Sequence, residues 1–334
     1  MTIFPWHSEA YKALADRKGG LPHGLLIRGP TGIGKRAFAR SLAQGLLCEE
    51  RVTALTACGT CKACHWFETG NHPDFRLLQP EAAEISDDAE QPDKKKKREI
   101  SIAQVRSLTD FINISAHRNG AKVILIQPAE AMNVNAANAL LKNLEEPPPD
   151  THFLLVSDRP NMLPATIRSR CQQLALRPPT RIEATAWLKS NGVSQPELAL
   201  ALAGGAPILA QELDTPEYWA TRQQFLDGLC SRSFDPLALA ERFASHAIPQ
   251  VINWLQCWSY DLVSVLCTQR LRYNSDRRDA LASAAQYMNK LEILRFHRDL
   301  MRFQRIVNHP LNPRLLLEDL LLRYEQLMQS AHAH

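Results

Sequence analysis

Gly29-Pro30-Thr31-Gly32-Ile33-Gly34-Lys35-Arg36 is the stretch that decides how the first half of the chain is read. It follows the apolar run Leu25, Leu26, Ile27 and precedes AFARSLAQGLL, which has helical spacing. Strand, glycine-rich turn, lysine and helix together make a phosphate cradle. Glycines let backbone N–H groups converge, the helix N-terminus adds positive potential, and the lysine supplies a charge. A glycine-rich turn that holds nothing is the alternative, and the strand-to-helix context argues against it. Gly29, Gly32, Gly34 and Lys35 are therefore the candidate nucleotide-binding residues.

The next position sets the chemistry. Hydrolysis needs Ser or Thr there to hold Mg²⁺, and this chain has Arg36, whose guanidinium cannot ligate a cation. A second metal-handling element, an acidic pair closing the strand at 123–126, is replaced by Gln127-Pro128. Glu130 lies three residues on, past a proline, and is not expected to substitute. Phosphoryl transfer is mostly positioning and charge neutralisation around the metal. Two losses at one site predict a binding fold without hydrolysis, with ATP bound weakly or not at all and no Mg²⁺.

Outward from this loop, short apolar runs alternate with helical patterns, as in a parallel sheet covered by helices. Strands are predicted at 25–27, 75–78, 123–126, 153–156 and 173–176. Between the third and fourth, Ala137, Leu140, Leu141 and Leu144 recur at helical spacing until Pro147, Pro148 and Pro149 forbid continuation. The segment 81–98 is a block of acids followed by a block of bases with almost no large apolar residue, and it reads as a mobile surface insertion. Its run 94–98 is more readily a solvated loop than a DNA contact.

Pro178 and Pro179 break the chain, and a short helical stretch through Trp187 ends at Gly204-Gly205, the pattern of a small lid. Beyond about Leu213 the period is all helical. Val251, Trp254, Leu255, Trp258 and Leu262 form one apolar face and PRLLLEDLLLRYEQLM another. The expected architecture is an α/β domain with a parallel sheet between helices at 1–173, a lid at 174–213 and an all-α domain at 214–334.

At 334 residues the chain suits two or three domains. Hydrophobic residues at 45% and charged residues at 22% exclude wholesale disorder. No stretch of about 18 apolar residues occurs, so a cytoplasmic location is expected. With 39 basic and 35 acidic residues the net charge is only +4, which argues against an autonomous zinc-dependent nucleic-acid binder.

Eight cysteines are unevenly spread. Cys58, Cys61 and Cys64 share one loop at two-residue spacing, and Cys48 is near enough to complete a tetrahedron. Thiolate softness and four protein ligands favour a structural Zn²⁺. His65 and His72 are rival fourth ligands, each behind Cys48. Cys171, Cys230, Cys257 and Cys267 lie in apolar surroundings and are expected to pack in cores.

GPTGIGKR, the four-cysteine insertion, HPDF at 72–75, AANALLKNLEEPP at 136–148, TIRSRC at 166–171 and the terminal LLLEDLLLR together resemble the bacterial clamp-loader family of DNA polymerase III. The resemblance spans nearly the whole chain. It implies a RecA-like AAA+ domain carrying the zinc module, a three-helix lid, and a helical C-terminal collar that closes five subunits into an open ring. The implied partners are the gamma or tau motor subunits and the delta subunit, with the sliding clamp and primer-template DNA met through the assembly.

The family's motor subunits keep an intact phosphate loop and acidic pair, so the departures at Arg36 and Gln127 fit a member with decayed nucleotide machinery. The lid arginine of the motors is likewise replaced, here by Ile208. Ser169-Arg170-Cys171 is retained in full. By resemblance, Arg170, with Ser169 beside it, reaches in trans into the ATP site of the adjacent motor as an arginine finger. A planar, always-charged guanidinium suits the charge on a transferring phosphoryl group. The alternative for Arg170 is a structural pairing with a local acid, and for the chain as a whole an active clamp-loader ATPase.

Overall fold

The computed structural model describes residues 3–17, 20–53, 55–81, 99–113, 120–231, 233–286, 288–306 and 312–330. The charged insertion expected at 81–98 lies, from residue 82 onward, outside the described residues. The chain divides into two compact units, Met1–Glu183 and Ala184–His334.

In the first unit, α1 (Ser8–Ala15), β1 (Gly24–Arg28), α2 (Lys35–Leu47), α3 (Lys62–Glu68), β2 (Phe75–Leu78), α4 (Ile102–Asn113), β3 (Lys122–Ile126), α5 (Val134–Glu145), β4 (Thr151–Ser157), α6 (Ala165–Arg170) and β5 (Gln172–Ala175) follow in order. All five strands are parallel, in the order β2-β3-β4-β1-β5. Every expected strand is present to within two residues at either end. The central strands read as unbroken apolar runs because both faces are covered. Leu25 and Ile27 join Phe38, Leu42, Leu125 and Leu154 in one core, while Leu26 joins Ile124, Phe153, Leu140 and Leu144 in the other. That split is the two-residue period of a strand expressed as packing.

Gly45, in α2, is dictated by close approach. A Cβ built there would lie 1.6 Å from the Leu55 carbonyl oxygen, which also accepts the Tyr11 hydroxyl at 2.6 Å. Gly45→Ala should therefore destabilise the chain by roughly 1–3 kcal/mol through overpacking, despite the ~1 kcal/mol helix-propensity gain. Urea unfolding checks this.

The second unit begins within α7 (Arg181–Ser190) and continues through α8 (Pro196–Leu202), α9 (Pro207–Leu213), α10 (Pro216–Leu229), α11 (Pro236–Phe243), α12 (Ile248–Thr268), α13 (Arg278–Ala285), α14 (Lys290–Ile306) and α15 (Pro313–Ser330). Ala184, Leu188, Ala199 and Ala210 form one small core. A larger one takes the expected face of α12, from Val251 to Leu262, and Leu317, Leu320, Leu321 and Tyr324 of α15. The buried indoles find hydroxyls: Trp254 donates to Tyr218 at 3.1 Å and Trp258 to Tyr324 at 2.9 Å. Among the described residues no helix is long and apolar enough to cross a membrane.

One expectation about cysteines needs correction. Cys171 and Cys257 are buried, but Cys230 and Cys267 are exposed. Both exposed residues sit at helix ends, Cys230 capping α10 and Cys267 in the last turn of α12. Apolar neighbours in sequence do not decide which side of a helix a residue faces.

Candidate functional site

The carboxyl ends of β1, β3 and β4 converge where open α/β sheets place ligands. β1 runs into the glycine loop, β3 into Gln127-Pro128 with a cis peptide bond, and β4 into Ser157-Asp158. Gly32 and Gly34 have positive φ, of 73° and 97°. A side chain at Gly34 would also collide with the Phe4 ring, 2.4 Å from the built Cβ. Phe4 stacks on Trp6 at 5.0 Å, and the Trp6 indole donates to the Ile33 carbonyl at 2.9 Å. The N-terminal segment thus lies against the loop. His7, beside it, is buried against Phe38, and desolvation lowers its pKa to about 4, so it is neutral at pH 7.

Lys35 opens α2 but does not stand free. It is 3% exposed, and its ammonium donates to the Pro30 carbonyl and pairs with the Asp158 carboxylate. Arg36, in the Mg²⁺-ligand position, is exposed. Gln127, in the place of an acidic residue, is buried, with Oε1 meeting no partner. Glu130 does not replace it: its Oε1 accepts the backbone N–H groups of Asp158 at 3.0 Å and Arg159 at 3.1 Å, fixing the turn after β4. A cavity of about 610 Å³ opens here, lined by Thr31, Glu99, Pro128, Glu130, Asp158 and Arg159 among others. Asp158 escaped the sequence reading because its link to Lys35 is tertiary. Its place directly after an apolar strand was the available signal.

Arg170 ends α6 on the same unit. A Cβ at Gly24 would lie 3.2 Å from the Arg170 carbonyl oxygen and 3.4 Å from Cys171 Sγ, so Gly24 lets the end of this helix seat directly on β1. The guanidinium donates from Nη1 to the Thr166 carbonyl at 3.0 Å and pairs through Nη2 with Glu145 of α5. Ser169 also donates to Thr166, at 3.1 Å. Arg170 is 34% exposed and Glu145 48%, so this pair is weak and screened. In this chain Arg170 therefore makes the local pairing that residue type alone left open, and it does so from a half-exposed position. Arg168, two residues earlier, has its Nε buried without a partner. Ile208 lies in the first turn of α9 and brings no cation.

The four clustered cysteines come together with all ligand atoms within 4.8 Å of one another. Sγ separations are 3.6 Å for Cys48–Cys58, 3.9 Å for Cys48–Cys61 and 4.0 Å for Cys58–Cys64. A sulfur tetrahedron around zinc at about 2.3 Å has edges of about 3.8 Å, so the donor set fits that ion. Backbone N–H groups of Cys58, Thr60, Cys61 and Cys64 point at the sulfurs from 3.3 to 3.5 Å, the outer-shell donation that stabilises thiolates. The amides of Thr60 and Cys61 bring the Cys58 thiol down to about 6, whereas burial pushes Cys48 and Cys64 up. His65 is exposed, and His72 Nδ1 instead accepts the Asp74 amide at 3.1 Å. Cys48, and neither histidine, completes the group of four that could hold a metal ion.

A parallel sheet with a glycine loop after its first strand, and a guanidinium and an amide where metal ligands belong, defines a phosphate-loop α/β protein whose own loop lacks the residue types that hold Mg²⁺. A family described as DNA polymerase III, delta subunit matches residues 7–180, and its C-terminal counterpart matches residues 216–326. The Pseudomonas aeruginosa DNA polymerase III subunit delta' is 37% identical over 97% of this chain and 98% of its own. The Escherichia coli subunit delta' is 31% identical over 98% and 97%. Escherichia coli subunit tau is 37% identical over 48% of this chain and 22% of its own. Among solved structures, a Thermotoga maritima gamma subunit-related protein covers 96% of this chain and 99% of its own at 17% identity and TM-score 0.45. The chain belongs to the delta' family of DNA polymerase III clamp-loader subunits.

Proposed function

We propose that this chain serves the clamp-loader assembly as a non-hydrolysing subunit that donates Arg170, oriented with Ser169, to the ATP site of a neighbouring motor subunit. The observation that carries the reading is a contrast within one sheet. The chain's own nucleotide site has Arg36 after the glycine loop and Gln127 after β3 where Mg²⁺ ligands belong, while Arg170 stands half-exposed at the end of α6 on a pairing weak enough to exchange. In the ring, residues 1–173 act as the AAA+ body, 174–213 as the lid and 214–334 as the collar. The partners are the gamma or tau motors and the delta subunit, with the clamp and primer-template DNA engaged through the assembly.

Zn²⁺ on Cys48, Cys58, Cys61 and Cys64 is structural, since four protein thiolates leave no position open for substrate. Gly29, Gly32, Gly34 and Lys35 form a vestigial phosphate loop without turnover. Lys35→Ala in this subunit should accordingly leave DNA-stimulated ATP hydrolysis by the reconstituted loader near wild type. A collapse of turnover in that assay would instead make this subunit a motor.

A further inference from the structure

The loop has kept more than a silent site requires. Gly32 and Gly34 hold positive φ, α2 starts at Lys35, and among the described residues no hydrogen bond takes up the N–H groups of Gly32, Ile33 or Gly34. The anion that the lysine calls for is supplied from within. The Asp158 carboxylate meets the Lys35 ammonium, the two side chains being 28% and 3% exposed. Asp158 is itself held in place, because its backbone N–H and that of Arg159 both donate to Glu130 Oε1. A second cation lies close in the fold: Arg28, which pairs in register with Ser157, has a buried Nε without an acceptor.

We propose that Asp158 is a built-in counter-ion occupying the place of a phosphate group at Lys35, so that this loop is a latent polyphosphate site closed by its own chain. The proposal rests on the reading of the loop as non-hydrolysing and gives a physical reason for nucleotide to bind there weakly or not at all. A phosphate that enters must displace a carboxylate from a partly buried pair, and it meets Glu99 and Glu130 in the same cavity. Removing the Asp158 charge leaves a buried ammonium short of a counter-ion beside loop N–H groups that no hydrogen bond takes up, which an incoming anion then satisfies. Nothing restores hydrolysis, because Arg36 and Gln127 remain.

The test is calorimetric titration of inorganic pyrophosphate, without metal, into the full chain carrying Asp158→Asn, with Asp158→Ser as a second variant. Binding at least about tenfold tighter than wild type, equivalent to about 1.4 kcal/mol, and abolished when Lys35→Ala is added, is the expected result. A folded Asp158 variant, with wild-type circular dichroism, that binds no tighter overturns the proposal. So does a gain that survives loss of Lys35. The trans role of Arg170 is judged separately, by turnover in the assembled loader, so neither result decides the other.

Discussion

Replacing Arg170 with alanine is expected to lower hydrolysis at the neighbouring motor's ATP site by about 10³-fold, the scale on which arginine fingers act. The effect is large because a finger supplies charge that matters only as the phosphoryl group transfers. Folding should be little affected, since the lost pair joins a half-exposed Arg170 to an exposed Glu145 and is screened by solvent. The measurement is single-turnover hydrolysis in a reconstituted ring whose only intact phosphate loop belongs to the motor next to this subunit. Retention of most of that rate would sink the trans-finger reading, whatever the loop of this chain does. Arg170→Lys should rescue little, because an ammonium cannot present the planar fork.

Stripping the metal should have the second large effect. Binding at structural zinc sites amounts to roughly 10–16 kcal/mol at pH 7 in small zinc modules, so chelation, or Cys64→Ser, should unfold the segment around residues 48–64. It should also lower the melting temperature of the unit that contains it. Cys64 is buried and its sulfur lies 4.0 Å from Cys58, so a hydroxyl there forfeits a soft ligand without access to water. The pH dependence follows from the thiols. Burial raises Cys48 and Cys64, which are therefore protonated at neutral pH without metal and must release protons when it binds. Zinc affinity should then fall as pH is lowered. Metal content by atomic emission at pH 6 and pH 8, with competing chelator, checks the sign. Full retention of fold and melting temperature after complete chelation would show that the four sulfurs hold no structural ion.

Much of this was legible in the residues because the relevant signals are local. The loop from Gly29 to Lys35 announces itself through glycine spacing between a strand and a helix. The cysteine cluster does so through two consecutive two-residue gaps that core packing never requires. The missing Mg²⁺ ligands at Arg36 and Gln127 are visible as residue types alone. The strands at 25–27, 123–126 and 153–156 were recognisable as buried runs, since a strand covered on both faces has no polar alternation to hide it. Cys230 and Cys267 went the other way. Their exposure depends on where a helix ends and which side it turns outward, and apolar neighbours carry no information about either.

The sequence by itself determined the α/β class, the loop without Mg²⁺-ligand residue types and the clustering of Cys48, Cys58, Cys61 and Cys64, because each is written in residue type and in spacing over a few positions. Only the tertiary structure decided what Lys35 and Arg170 do with their charge. Their partners, Asp158 at the end of β4 and Glu145 at the end of α5, lie 123 and 25 residues away in the chain. They are brought close by strand order and by the packing of α5 beside α6, and a charge finds its counter-ion in space, where Coulomb attraction falls with distance and not with position in the sequence.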